Sequence, residues 1–393
     1  MKFIHNLIVM VLGCLFSLGV VEIGLRVFNY QVLAMHWTVL KKGQSFFQPD
    51  KDRIYSIRSA GTEKVYSQYY GVDQLGMRYN FDNQGEKLKD YKTIIAVGDS
   101  FTYGHEVGHD EAYPAVLGKK LRENGIEVVV HNAGVSGYGL DQEFLYIKDD
   151  LLNRFHPDLL IWNLTKNDFY DADKACLFKK TKSGWKKIIT PWQSTLYVEG
   201  MLMESAPDWL KKTKIFNLLV AVPKLLAGEE RFTFGCSKKN LSYNEVIILM
   251  NDKLRYFLKE VVRITDEKDI ELLVVIVPFQ AYFDNKILSI KDGLMDDYLL
   301  LKKTIEESKV NYIDMNFQLV KIYSPQLLSL RREGKVAAER GSEFNILGAK
   351  TINLHESMFL DETKKFNSNH LNKFGNQLMA EEVFQMIRAI DIR

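Results

Sequence analysis

Two hydrophobic periods alternate along most of the chain. TIIAVG (93–98), EVVVHNAG (127–134) and PDLLIWNL (157–164) are short apolar runs, the pattern of strands buried on both faces. Between them the spacing changes. DEAYPAVLGKKLREN (110–124) sets Ala112, Ala115, Val116 and Leu121 at helical intervals, with Asp110 as a cap and Pro114 tolerated in the first turn. GLDQEFLYIKDDLLNRF (139–155) reads as a second helix. After a break the alternation resumes with a helix over 244–268, a strand at IELLVVIVPF (270–279), a helix over 296–309 and a strand at VNYIDM (310–315). An amphipathic helix, LNKFGNQLMAEEVFQMIRAI (371–390), closes the pattern. Such alternation predicts a parallel sheet covered by helices on both faces.

The first residues follow neither period. LIVMVLGCLFSLGVV (7–21) carries no charge, and only Glu22 and Arg26 interrupt the apolar run near its end. A membrane-spanning helix needs about 20 apolar residues, which Leu7 to Val27 supply. A cleaved signal peptide lacks a convincing small-x-small site here, and a lipoprotein signal at Val11-Leu12-Gly13-Cys14 leaves too short a run before the cysteine. An uncleaved signal anchor fits best. Lys2 favours a cytoplasmic N-terminus and an extracytoplasmic body, although Arg26, Lys41 and Lys42 blunt that argument.

These patterns predict an anchor over 1–28, a linker and peripheral segment over 29–90, and a main domain over 91–393 with an insertion at about 172–240. The insertion is rich in lysine, and Pro223 interrupts its helical pattern. A solvated face accounts for such a run; contact with an anionic membrane or polymer is the sharper reading. Composition adds little: 46% of residues are hydrophobic, and a net charge of +2 gives no reason to expect nucleic acid as a partner. Of three cysteines, Cys176 and Cys236 both fall near the insertion. In an oxidising compartment they would close a loop worth about 4 kcal/mol; otherwise they are two small buried side chains.

In an open parallel sheet, chemistry gathers at the carboxyl ends of the strands. GDSFTYG (98–104) follows the first strand and places Ser100 at a turn, where it is either an exposed nucleophile or an ordinary helix cap. NAGVSGYG (132–139) follows the second strand, and Gly137 there is either a backbone donor or part of a plain turn. TKNDFYD (165–171) follows the third, with Asn167 as a side-chain donor or as common loop chemistry. Far downstream, FNSNHLNKFG (366–375) sets His370 just before the last helix.

In this order and at these places the four motifs resemble the SGNH hydrolases, also called GDSL-type esterases. VVEIGLRV (20–27) and LGMR (75–78) are similar to the membrane-tethered bacterial members. The resemblance implies a flavodoxin-like, three-layer α/β/α domain with Ser100 as nucleophile and His370 as general base. It implies an oxyanion hole from the Ser100 and Gly137 amides and the Asn167 side chain. The implied chemistry is ester hydrolysis or acyl transfer on lipids or glycans, with no metal and no cofactor. The implied place is the outer face of the cytoplasmic membrane, with an acylated envelope glycan or lipid as substrate.

Two positions depart from the family pattern. Lys166 stands where glycine is usual, and Asn367 stands where an aspartate usually orients the histidine. An amide oxygen can accept the imidazole Nδ1–H bond, but it cannot neutralise an imidazolium. Asn367 is the expected orienting group, with Asp361 and Glu362 as carboxylates nearby in sequence. The departure motivates a second reading, a weakly catalytic or inactive scaffold of the same fold. HEVGH (105–109) matches the zinc-protease pattern and supplies a third, although Gly104 and Gly108 argue against the helix that pattern needs.

Overall fold

The structure is a computed structural model. It describes residues 2–28, 46–58, 61–65, 68–78, 91–105, 107–165, 167–187, 194–227, 241–277, 282–284, 287–289, 294–315, 336–340, 343–346, 370–371 and 373–390. The chain divides into two compact units, one of residues 1–58 and 189–234 and the other of residues 59–188 and 235–393.

In chain order the elements used below begin with helix α1 (Lys2–Val27), strand β1 (Lys92–Gly98), helix α2 (Ser100–Tyr103), helix α3 (Tyr113–Glu123) and strand β2 (Val128–Gly134). Helix α4 (Leu140–Tyr146), strand β3 (Leu159–Leu164) and helix α5 (Asn167–Ala175) follow. Next come helices α6 (Thr195–Ser205), α7 (Asp208–Lys211), α8 (Lys214–Ala227) and α9 (Tyr243–Glu267). Strand β4 (Glu271–Ile276), helix α10 (Leu294–Ser308), strand β5 (Asn311–Asp314) and helix α11 (Lys373–Ile390) complete the set.

The five strands form one parallel sheet in the order β2-β1-β3-β4-β5. The chain steps from β1 outward to β2, then returns across β1 to β3 and continues the other way. That reversal is the topological switch of a flavodoxin-like sheet, and it opens a crevice beyond the carboxyl ends of β1 and β3. Because strand side chains alternate, Ile94 and Ala96 face one layer and Ile95 and Val97 the other, all buried. On the first face Leu117, Leu121, Val383 and Phe384 of α3 and α11 join Ile94, Val130, Ile161 and Val275 in one core. Helices α4 and α9 are joined by Phe144 and Phe257, whose rings stack with centroids 4.1 Å apart. Lys253 of α9 reaches Asp141 of α4, Nζ to Oδ1 2.9 Å, with both side chains fully buried.

The expected elements of the sheet domain form, most with small shifts at their ends; the helix expected over 139–155 is divided into α4, a π-helical segment (Ile147–Leu151) and a last helical turn (Leu152–Arg154). Helix α3 begins at Tyr113 rather than at Asp110. The Glu111 carboxylate accepts from Gly108 N at 3.0 Å and holds residues 108–111 in a turn, which delays the first helical residue. Pro223 does not end its helix, because α8 runs through that position as far as Ala227. Cys176 is held in a disulfide and Cys14 carries a free thiol, while Cys236 lies outside the described residues.

In the other unit, α1 is long and apolar enough to cross a membrane. The segment expected to be linker contains an antiparallel hairpin, Phe47–Asp50 with Ile54–Ile57. Glu22 caps α8: its Oε1 accepts from Lys214 N at 3.0 Å and its Oε2 from Ile215 N at 2.9 Å.

Candidate active site

Ser100 owes its position to a sharp exit from β1. Asp99 caps α2 by accepting from Phe101 N at 2.9 Å, so the serine becomes the first helical residue directly beyond the sheet. Close approach to β2 holds the turn in place. A Cβ on Gly134 would collide with the backbone of Thr102 and Tyr103, so only glycine lets the strand end approach so closely. Asn132 of β2 donates to Thr102 O at 3.0 Å and to Tyr103 O at 3.3 Å. Arg78, almost wholly buried, donates to Tyr103 O, to Gly104 O and, at 2.6 Å, to Val107 O. The loop after the serine is therefore fastened from below at several carbonyls.

His370 reaches the same point from the far end of the chain, with Nε2 2.7 Å from Ser100 Oγ. Its ring lies beside those of Phe101, centroids 5.2 Å apart, and His105, 4.6 Å apart. Asn376 fixes the approach: Oδ1 accepts from Tyr113 N at 2.9 Å and Nδ2 donates to Leu371 O at 3.0 Å, joining the start of α11 to α3. Burial, then the neighbouring His105, lowers the His370 pKa to about 3, and burial, then Arg78, lowers that of His105 to about 4. Both rings are thus neutral near pH 7. For Nε2 to accept the serine proton, Nδ1 must carry the ring hydrogen. Nδ1 is buried and has no hydrogen-bond partner among the described residues.

Beneath the serine lies a group of buried acids. Asp99 Oδ2 accepts from Asn167 Nδ2 at 2.7 Å and from Thr165 Oγ1 at 3.2 Å, and it lies 3.5 Å from Ser100 Oγ. Burial raises Asp99 to about 6 against the opposing effect of the Asn167 bond. Asp168 and Glu143 are held well above the usual carboxylate range, again chiefly by burial. Glu143 accepts from Trp162 Nε1 at 2.8 Å, and Asp168 accepts from Thr165 Oγ1 at 2.7 Å. The Asn167 amide also donates to Asp171 Oδ2 at 3.2 Å, so both of its N–H groups face carboxylates.

The structure therefore brings Ser100, His370 and Asn167 together at the switch point. Gly137 lies in the turn after β2, with φ 81°, and Val135 N ties the start of that turn to Gly98 O at 2.9 Å. Asn367, Asp361, Glu362 and Lys166 lie outside the described residues. The helix required by the zinc reading of HEVGH does not form. Gly104, at φ 77°, ends α2 in the left-handed region, and His105 and His109 fall in turns before α3. His105 serves instead as a wall of the His370 pocket. Sequence reasoning did not foresee that role, nor the hold of Asp99 on Asn167, nor the clamp made by Arg78. The only signals available were their presence in HEVGH, GDSF and LGMR.

Residues 96–214 match the model of the GDSL-like lipase/acylhydrolase family. No curated protein matches the chain. Among solved structures, the chain is similar to an acetyl xylan esterase at 16% identity, covering 75% of this chain and 99% of that one with a TM-score of 0.37. It is also similar to a GDSL-like lipase from Bacteroides thetaiotaomicron at 13% identity, covering 78% of this chain and 92% of that one, TM-score 0.36. A psychrotrophic esterase from Pseudoalteromonas sp. matches at 11% identity over 77% of this chain and 100% of that one, TM-score 0.36.

Proposed function

We propose, starting from the match of residues 96–214 to the GDSL-like lipase/acylhydrolase family model, that Ser100 and His370 form the catalytic pair of an esterase or O-acyltransferase. The observation that carries this reading is the 2.7 Å approach of His370 Nε2 to Ser100 Oγ. A serine hydroxyl is a weak nucleophile until a base within such reach takes its proton. Oγ attacks the ester carbonyl as the proton passes to Nε2. The resulting oxyanion is met by the Ser100 and Gly137 amides and, once its side chain turns from Asp99, by Asn167. One such donor is worth about 3–4 kcal/mol in a comparable hydrolase. Collapse expels the alcohol, which takes the proton from the imidazolium, and leaves an acyl-serine. Water or a sugar hydroxyl then attacks, giving hydrolysis or transfer. Asn367 is assigned the task of orienting the ring through Nδ1.

The substrate class that fits is an acylated glycan or lipid of the cell envelope, reached by a chain anchored through α1 on the extracytoplasmic side. The disulfide at Cys176 supports an oxidising compartment. The test is labelling of the full chain by a fluorophosphonate probe. Ser100 is labelled in the wild type, and labelling is lost in Ser100→Ala and His370→Ala. Absence of wild-type labelling between pH 4 and 9 would favour the scaffold reading, for which Asn367 in place of the usual aspartate is the specific motive. Asn367→Ala is expected to slow turnover without changing KM; turnover unchanged from the wild type in both Asn367→Ala and Asn367→Asp would exclude the orienting role.

A further inference from the structure

Helix α1 is not packed evenly along its length. Residues 2–21 are exposed without exception, whereas Glu22, Gly24 and Leu25 are partly covered. At about 1.5 Å per residue the exposed part is about 30 Å long, the thickness of a hydrocarbon core. The covered end meets α8. There Glu22 accepts the first two amides of α8, and Arg26 bonds both Glu22 at 2.7 Å and Lys212 O at 3.0 Å. A carboxylate bonded to helix amides and an arginine marks the level at which the span leaves the hydrocarbon. Through Arg26 and Glu22 that level takes in Lys212, the residue directly after α7, and the first turn of α8.

That level carries an unusual surface. Trp209 of α7 is 71% exposed, and Lys212 follows one turn later, also exposed. On α8, Leu219 is 62% exposed and stands four residues beyond Ile215, on the same face as the residue that Glu22 caps. An exposed tryptophan and leucine beside Lys212 and Lys214 match the aromatic and basic belts that favour the membrane–water boundary.

We propose that α7 and the start of α8 lie on the bilayer that α1 crosses, with Trp209 and Leu219 at the headgroup–acyl boundary and Lys212 and Lys214 against anionic headgroups. The proposal rests on α1 being a retained span. Continuity with that span and complementarity of charge select the lipid surface over a protein partner. Glu22 then has a definite duty: it couples the span to this platform by capping α8.

The test uses the full chain in vesicles of phosphatidylcholine and phosphatidylglycerol, with or without bromine on the acyl carbons nearest the glycerol. The emission of Trp209 is isolated as wild type minus Trp209→Phe. Its high exposure makes the substitution harmless to folding. The expected result is a blue-shifted Trp209 emission that brominated lipid quenches by more than half. Emission that is red and unquenched overturns the proposal. Emission that is blue but unquenched also overturns it, because a protein surface, such as a second copy, then covers Trp209. Carbonate extraction tests the premise separately: a chain released from vesicles removes α1 as a span and the platform with it, whereas a retained chain with unquenched Trp209 removes the platform alone.

Discussion

If His370 is the general base, the acid limb of the pH–rate profile must lie far below that of an ordinary histidine. The free enzyme needs a neutral imidazole, and kcat/KM reports the ionisation of the free enzyme. Burial, reinforced by His105, lowers the pKa to about 3. At pH 5 an unperturbed imidazole would be neutral in only about 3% of molecules, whereas a group titrating near 3 is neutral in about 99%. The retained activity at pH 5 thus differs by about thirtyfold between the two cases. The assay is initial-rate hydrolysis of a chromogenic acetate ester from pH 3 to 9. Asp99, beside the serine, titrates at about 6, close to where an ordinary histidine would. Asp99→Asn removes that ionisation while keeping an N-cap. The expected profile in both proteins is flat down to about pH 4. A limb near 6.5 that persists in Asp99→Asn would refute the assignment of a buried, neutral His370 as the base.

Other outcomes follow from single contacts. His105→Ala removes one wall of the His370 pocket and is expected to lower kcat about tenfold or more with little change in KM, as misplacement of a catalytic group does; His105→Phe, which restores a flat ring, should recover most of it. Lys253→Met leaves Asp141 buried without its cation and should cost about 3–5 kcal/mol in urea unfolding; Lys253→Met with Asp141→Asn should cost measurably less, and equal losses would exclude coupling across the 2.9 Å pair. Gly134→Ala forces a methyl against the backbone of Tyr103. It should cost about 1–3 kcal/mol and slow turnover by displacing Ser100, whereas an unchanged Tm and rate would show that the close approach is dispensable.

The sheet domain was largely legible in the sequence because its strands are buried on both faces. Such strands are apolar over most of their length, so the runs in TIIAVG, VVVHNAG and DLLIWNL stand out against helices with one wet face. Element ends were less legible. Where α3 starts depends on whether the Glu111 carboxylate turns back to Gly108, a choice between two local hydrogen bonds that residue types alone do not resolve. Pro223 misled for the opposite reason: propensity disfavours it in a helix, yet α8 continues through it.

By itself the sequence determined the alternation of strand and helix, the apolar N-terminal run, and the residues standing where strands end. Those are properties of local period and position, and they survive without knowing what lies beside what. Only the tertiary structure decided the contacts. It set His370 2.7 Å from a serine 270 residues earlier, laid His105 against that ring, turned the Asn167 amide toward Asp99, and tied Glu22 to α8. Each joins groups far apart in sequence or turns on which way one side chain points. Burial then fixed the charge of the groups involved, holding the His370 ring neutral and raising the acids beneath Ser100. Desolvation depends on everything that surrounds a group, so no sequence neighbour reveals it.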